Sequence, residues 1–318
     1  MKTYAIHIDY TKINSHNDLV GQLSSLLNLN KLDEVEVEID FNGTSEINPD
    51  YFSLVYSVIV NLIEHGVKVH GKTKHFDIHS LRFSNTNKID LSSVNGLNYL
   101  ESIKAQISMD CLFEIKQFSE PKGALNLHKE IMKKLMGAGV KDEVLSILEF
   151  CLWELIDNTL NHSVEGDSLG LGKGIVSVQF YAEKKIIRFL IADHGCGIYR
   201  ALTKYPDSVY LYYTEAEALS NCVKKGVTNG TGAGFGLWAI AKFVELNKGY
   251  LSIHSGGKQL QVNQVAKVSD AFRWYGTYVL LEINTDTLVD PYAIFGNEHT
   301  DFYRELKDEL FENLIDLW

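Results

Sequence analysis

The stretch Trp153–Ser163, WELIDNTLNHS, sets Glu154, Asn158 and His162 four residues apart, with Asp157 and Asn161 beside them. At about 100° per residue on a helix, Glu154, Asn158, Asn161 and His162 share roughly a quarter of the circumference, while Leu148, Leu152, Ile156 and Leu160 crowd the other side. A surface helix with a solvated stripe accounts for that pattern by itself. A functional face is the other reading of the same stripe. Further on, the apolar run IIRFLIADHGCGI ends in Asp193-x-Gly195-x-Gly197, which fixes an acid at a strand end and gives the backbone two glycines for a sharp turn. Such a carboxylate can accept a hydrogen bond from an exocyclic amine; the alternative is a plain Asp-Gly turn. The third stretch, NGTGAGFGLWAI, alternates Gly230, Gly232, Gly234 and Gly236 ahead of an amphipathic helix. There, backbone N–H groups and a helix N-terminus can receive phosphate oxygens. The spacing does not fit a Rossmann loop, and a Lys-rich helical segment and loop stand where a strand is needed. A Walker loop fails as well, because Gly172-Lys173 is followed by Gly174.

The elements that must position these residues fall into two groups. TYAIHIDY and EVEVEIDF alternate as strands, DYFSLVYSVIVNLIEHG is an apolar helix closed by Gly66, and VKVHGK returns as a strand, which makes a β-α-β unit. Residues 84–122 are mixed in character, and their later part reads as a connection. From about residue 123, LHKEIMKKLMGAG and KDEVLSILEFCLWELIDNTLNHS are helices, and GIVSVQFYAE and KIIRFLIAD are strands. EAEALSNCVKK and LWAIAKFVELN are helices on either side of the glycine loop, and YLSIHS and GTYVLLEIN are strands. The fold class expected is α/β (α+β).

The 318 residues, 45% hydrophobic and 22% charged, suffice for roughly two globular domains. A formal charge of −11 argues against nucleic acid or an anionic membrane as a partner, since both attract clustered Lys and Arg. The four cysteines form no CxxC pair, no apolar run reaches the ~18 residues of a membrane span, and MKTYAIHIDY lacks the apolar block of a signal peptide. A cytoplasmic location is expected.

In this order the motifs resemble those of the histidine-kinase-like (GHKL, Bergerat-fold) ATPase superfamily, which includes DNA gyrase, heat-shock chaperones, sensor histidine kinases and anti-sigma-factor kinases. The resemblance covers roughly residues 123–285. It rests on Glu154-x-x-x-Asn158, Asp193-x-Gly195-x-Gly197, Gly232-Ala-Gly234-Phe-Gly236-Leu237 and the late Gly276-Thr277. It implies a Bergerat-type α/β sandwich that binds ATP with Mg²⁺. Asn158 would hold the Mg²⁺, and Asp193 would read the adenine amino group with Thr277 assisting. Gly195 and Gly197 would admit the base, Gly232, Gly234 and Gly236 would cradle the phosphates beside Leu237, and residues 198–231 would form a lid. Lys224 or Lys225 would meet the γ-phosphate or simply end a helix in solvent; His162 would touch the phosphates or cap its helix. Glu154 matches the glutamate that polarises the attacking water or hydroxyl, so the resemblance favours hydrolysis or Ser/Thr transfer, with a nucleotide-gated interaction switch as the alternative.

The segment around His128 lacks the pattern of a sensor-kinase phosphoacceptor hairpin. The tail 286–318 repeats apolar residues at Phe302, Leu306, Leu310, Leu314 and Leu317, which suits an amphipathic packing or partner helix. The unit within residues 1–105 resembles the STAS domain of anti-sigma-factor antagonists, but Pro49 stands where those carry a phosphorylatable Ser, with Asp50 and Ser53 nearby. A small STAS-like docking or regulatory domain, a connection over 106–122 and an ATPase domain over 123–285 are therefore expected. A protein partner would dock through the STAS-like domain or the lid, and a homodimer is compatible with this reading. His65, His70, His75 and His79 do not have metal-site spacing.

Overall fold

The computed structural model describes residues 3–29, 33–41, 48–74, 76–78, 81–83, 89–107, 112–162, 172–230 and 234–296. The amino-terminal unit begins with β1 (Thr3–Asp9), α1 (His16–Leu23), β2 (Glu34–Asp40), α2 (Pro49–Glu64) and β3 (Lys68–Lys74). The small hairpin β4 (Phe76–Ile78) and β5 (Leu81–Phe83) precedes β6 (Ile89–Asp90) and α3 (Val94–Ile107). Strands β1, β2 and β3 run parallel and β6 closes the sheet antiparallel, in the order β1-β2-β3-β6. The alternation of EVEVEID is realised as Val35, Val37 and Ile39 inside and glutamates outside. Ser15 accepts from Asp18 N to start α1, and Asn48 accepts from Asp50 N to start α2, whose Pro49 occupies the first turn.

The carboxy-terminal part contains β7 (Phe113–Phe118), α4 (Pro121–Gly137), α5 (Asp142–His162), β8 (Gly174–Tyr181) and β9 (Ile186–Asp193). These are followed by α6 (Gly197–Thr203), α7 (Glu215–Asn221), α8 (Gly236–Asn247), β10 (Tyr250–Val262), β11 (Ala266–Asn284) and α9 (Pro291–Phe295). Its five strands form an antiparallel sheet in the order β10-β11-β9-β8-β7. Residues 106–122, expected as a connection, thus include β7, which pairs with β8 as a member of this sheet. The strands read as YLSIHS and GTYVLLEIN are the paired ends of one long hairpin, β10 to β11. Of the expected tail, α9 packs Phe295 against Phe150 and Trp238; residues 297–318 lie outside the described residues.

Because strand side chains alternate, each strand of the five-stranded sheet serves two layers. Val176, Val178, Ile187, Phe189, Ile191, Val279 and Leu281 point into a core shared with α4, α5 and α8. Ile175, Leu190, Ala192, Tyr278 and Leu280 point the other way, into a core shared with Phe52, Val55 and Ile59 of α2. The order of layers is therefore small sheet, amino-terminal helices, large sheet, carboxy-terminal helices. Helix α2 is buried from Phe52 to Ile59 without interruption because it has a sheet on each side.

Several polar groups in this seam are paired, whereas His16 Nε2 and His194 Nδ1 are buried without a hydrogen bond among the described residues. Asp50, 0% exposed, accepts from Gln179 Nε2 at 2.7 Å and from Arg188 Nη1 at 3.1 Å, and Arg188 Nε also donates to Glu282 at 2.7 Å. Burial outweighs the guanidinium and pushes the Asp50 carboxyl up to about 6. Ser53 is fully buried, donating to Pro49 O at 2.7 Å with Ser177 Oγ at 3.1 Å.

Candidate functional site: two joined cavities between α5 and the sheet

Helix α5 anchors the site. Its buried side carries Leu148, Leu152, Leu155 and Ile156 into the core, and its other side presents Glu154, Asp157, Asn158, Asn161 and His162 to a cavity of 240 Å³. A second cavity of 70 Å³ adjoins it and shares Asn158, His162, Ile198, Ala201 and Leu237. The small cavity is apolar, lined by Leu155, Ile191, Ile253 and Val279, with Asp193, Thr159 and Thr277 among its polar members. One apolar slot and one polar chamber, joined at Asn158, suit a ligand with an aromatic base at one end and charge at the other.

Strand parity explains why Asp193, Ser255 and Thr277 meet there. All three face the carboxy-terminal helices, at neighbouring register positions on β9, β10 and β11, with Ser255 opposite Thr277. Asp193 is 8% exposed; its Oδ1 accepts from Gly195 N at 2.8 Å and Thr277 N at 3.2 Å, and Oδ2 has no hydrogen bond among the described residues. Burial pushes this carboxyl up to about 7, against those two donors. The Trp274 indole donates to Asp193 O at 3.0 Å from the opposite side of the sheet, fixing the strand end. Gly276 is required beside it: at φ 104°, a Cβ there would lie 2.2 Å from Asp193 O. Ser255 Oγ accepts from Ile198 N at 2.9 Å and donates to Gly276 O at 3.0 Å, tying α6 to the hairpin. This role rests on cross-strand register, which no local motif announces.

In the polar chamber, burial pushes Glu154 up to about 7, with the Asp157 charge adding to the effect. Glu154 and Asn158 make no side-chain hydrogen bond among the described residues, whereas Asp157 accepts from Asn161 Nδ2 at 2.7 Å. His162 closes α5: its carbonyl accepts from Cys196 Sγ at 3.2 Å, its Nδ1 lies 3.5 Å from Asn229 Nδ2, and burial lowers its affinity for a proton. It therefore both ends the helix and lines both cavities.

The glycine loop divides by position. Gly232 lies outside the described residues. Gly234, at φ 71°, lets the chain cross residues 226–227, where a Cβ would stand 2.7 Å from Gly226 C, and its carbonyl accepts from Gly226 N at 2.9 Å. Gly234 and Gly236 line the chamber and Leu237 lines both cavities. Gly195 donates to Asp193, and Gly197, at φ 73°, turns α6 in against Ser255.

Lys225 and the segment expected as a lid lie as follows. Lys225 does not line either cavity; its ammonium lies 5.4 Å from the Phe235 ring centroid and 5.1 Å from that of Trp238. Helix α7 ends at Asn221, short of Lys224 and Lys225, and the chain goes on in a turn in which Lys224 N donates to Asn221 O at 2.8 Å. The segment 198–231, expected as a lid, contains α6 and α7, whose Ala201, Leu202, Ala218 and Leu219 are buried against the domain. Among the described residues, no group of three His, Cys, Asp or Glu side chains could hold a metal ion, and no helix is long and apolar enough to cross a membrane.

Comparison with curated proteins yields no match. The segment from α5 into β11, which supplies the walls of both cavities, matches over residues 144–281 the family model described as histidine kinase-, DNA gyrase B-, and HSP90-like ATPase, so the chain carries an ATP-binding domain of that kind.

Proposed function

We propose that the chain is a Mg²⁺-dependent enzyme that cleaves ATP at the γ-phosphate, passing it to water or to a Ser/Thr hydroxyl of a partner protein. The observation that carries this reading is the pair of joined cavities with a carboxyl at each end, the buried Asp193 in the apolar slot and the half-buried Glu154 in the polar chamber. Asp193 Oδ2, free of other partners among the described residues, accepts from the adenine amino group while Oδ1 stays tied to Gly195 and Thr277. The triphosphate extends past Asn158 towards Gly234, ahead of α8, where backbone N–H groups suit phosphate oxygens.

The residues suit a Mg²⁺ ion. It prefers oxygen ligands, keeps several waters and takes one or two oxygens from protein, the rest coming from phosphates, so the Asn158 amide oxygen is an adequate holder. When bound, the ion neutralises phosphate charge. Glu154 takes the proton of the attacking water or hydroxyl as that oxygen bonds to the γ-phosphorus and the bond to the β-phosphate oxygen breaks, leaving ADP. A carboxyl raised to about 7 by burial is a stronger base than an exposed one.

Glu154→Gln is expected to keep ATP affinity within about threefold while phosphate release falls by roughly 100-fold or more. Asn158→Ala and Asp193→Ala are expected to weaken ATP binding itself, each by about tenfold or more, because each leaves a ligand group without its partner. Calorimetry beside phosphate release and label transfer to candidate partner proteins separates these effects. Undiminished turnover by Glu154→Gln removes Glu154 from the mechanism. A second reading, a nucleotide-gated interaction switch, is favoured by the Trp274 bond to Asp193 O, since Trp274 belongs to the core shared with the amino-terminal unit. Tight ATP binding with neither phosphate release nor transfer supports it. On either reading the amino-terminal unit is a docking or regulatory module.

A further inference from the structure

Helices α5 and α8 meet closely at Gly236. A Cβ placed there would lie 1.9 Å from Glu154 Oε2, 2.8 Å from its Cδ and 3.4 Å from its Cγ, so the three nearest atoms all belong to this one side chain. Nothing in the backbone at Gly236 asks for glycine. It is the first residue of α8, its φ is not positive, and alanine is the better helix former. Gly234 provides the contrast, since there the φ is positive and a Cβ would strike main-chain atoms of Gly226 and Val227. The two glycines of one motif therefore serve different purposes: Gly234 permits a crossing of chains, whereas at Gly236 the space is taken up by a side chain.

We infer that Gly236 is a positioning residue whose missing side chain is the seat of the Glu154 carboxylate. The seat lies against the first turn of α8 and in the wall of the polar chamber. A methyl group at 236 can be accommodated only if the carboxylate gives way, and the far end of a glutamate side chain moves easily. The fold therefore tolerates the change while the base leaves its place. A displacement of about 1 Å at a reacting group can cost about 100-fold in rate.

This inference rests on the assignment of Glu154 as base, and the test separates the two. Gly236→Ala is expected to melt at the same temperature as the parent or higher, to bind Mg-ATP within about twofold, and to release phosphate about 10- to 100-fold more slowly. Glu154→Asp, one methylene shorter, is expected to slow the parent yet to speed the Gly236→Ala variant, because the shorter acid leaves room for the methyl group. A carbon NMR titration of the Glu154 carboxyl, its resonance identified by Glu154→Gln, is expected to move downward in Gly236→Ala as the group leaves its buried seat. ATP affinity that falls in step with turnover would overturn the inference, assigning Gly236 to the phosphates instead. An unmoved titration would overturn it too. If Glu154→Gln turns over like the parent, the base assignment fails, and the titration still decides whether Gly236 seats the carboxylate.

Discussion

Asp193 divides its carboxylate between structure and ligand, with Oδ1 holding Gly195 and Thr277 and Oδ2 left for a donor from the slot. Its carboxyl stands at about 7 instead of 3.8. The folded chain therefore holds a proton there that the unfolded chain has released, and the stability from this group is lost as pH rises from 3.8 through about 7. A ligand amine that donates to the ionised form offsets this cost. ATP affinity is thus expected to rise with pH through about 7, and Asp193→Asn to bind weakly with that pH dependence removed, as calorimetry across the range will show. Flat affinity in the parent would place the adenine elsewhere. Asp193, Glu154 and Asn158 were legible in the sequence because their motifs are local: an acid at a strand end, two residues one helical turn apart. Ser255 and Trp274 were not legible, since their roles come from cross-strand register and from the far side of the sheet.

Helix α2 shows how much an element's composition can reveal. Its run from Phe52 to Ile59 has no polar stripe beyond Ser53, Tyr56 and Ser57, and a helix apolar on all sides needs cover on all sides. The β-α-β pattern accounted for one sheet against it; the second is the five-stranded sheet, packed through Asp50, Ser53 and Ser57. Asp50 is the polar pin of that contact. Asp50→Ala leaves Arg188 with Glu282 and the Tyr181 hydroxyl and leaves Gln179 Nε2 without its acceptor, and is expected to cost about 2–4 kcal/mol in denaturant unfolding. A cost below about 1 kcal/mol would mean that the apolar seam carries the interface without it. Strand β7 and helix α3 escaped the sequence reading because their segments lack sustained period; their places are set by β8 and α2, which they pack against.

For the whole molecule, the two expected domains share a core. Removing the amino-terminal unit would bare Ile175, Leu190, Ala192, Trp274, Tyr278 and Leu280 on one sheet face. The full chain is expected to unfold in one calorimetric transition, and the fragment 112–296 to aggregate or lose ATP binding; a soluble fragment with full affinity would show that the domains are independent. The resemblance to a known ATPase domain was readable from four motifs, but this merger was not, because no local pattern records which face of a sheet another unit covers. The contact between α1 and β11 includes a hydrogen bond from Phe272 N to Asn17 Oδ1, joining residues 255 positions apart. A ribosome must therefore release β11 as far as Phe272 before α1 can make this contact. Until then the nascent amino-terminal half travels with a greasy flank uncovered, a natural handhold for chaperones.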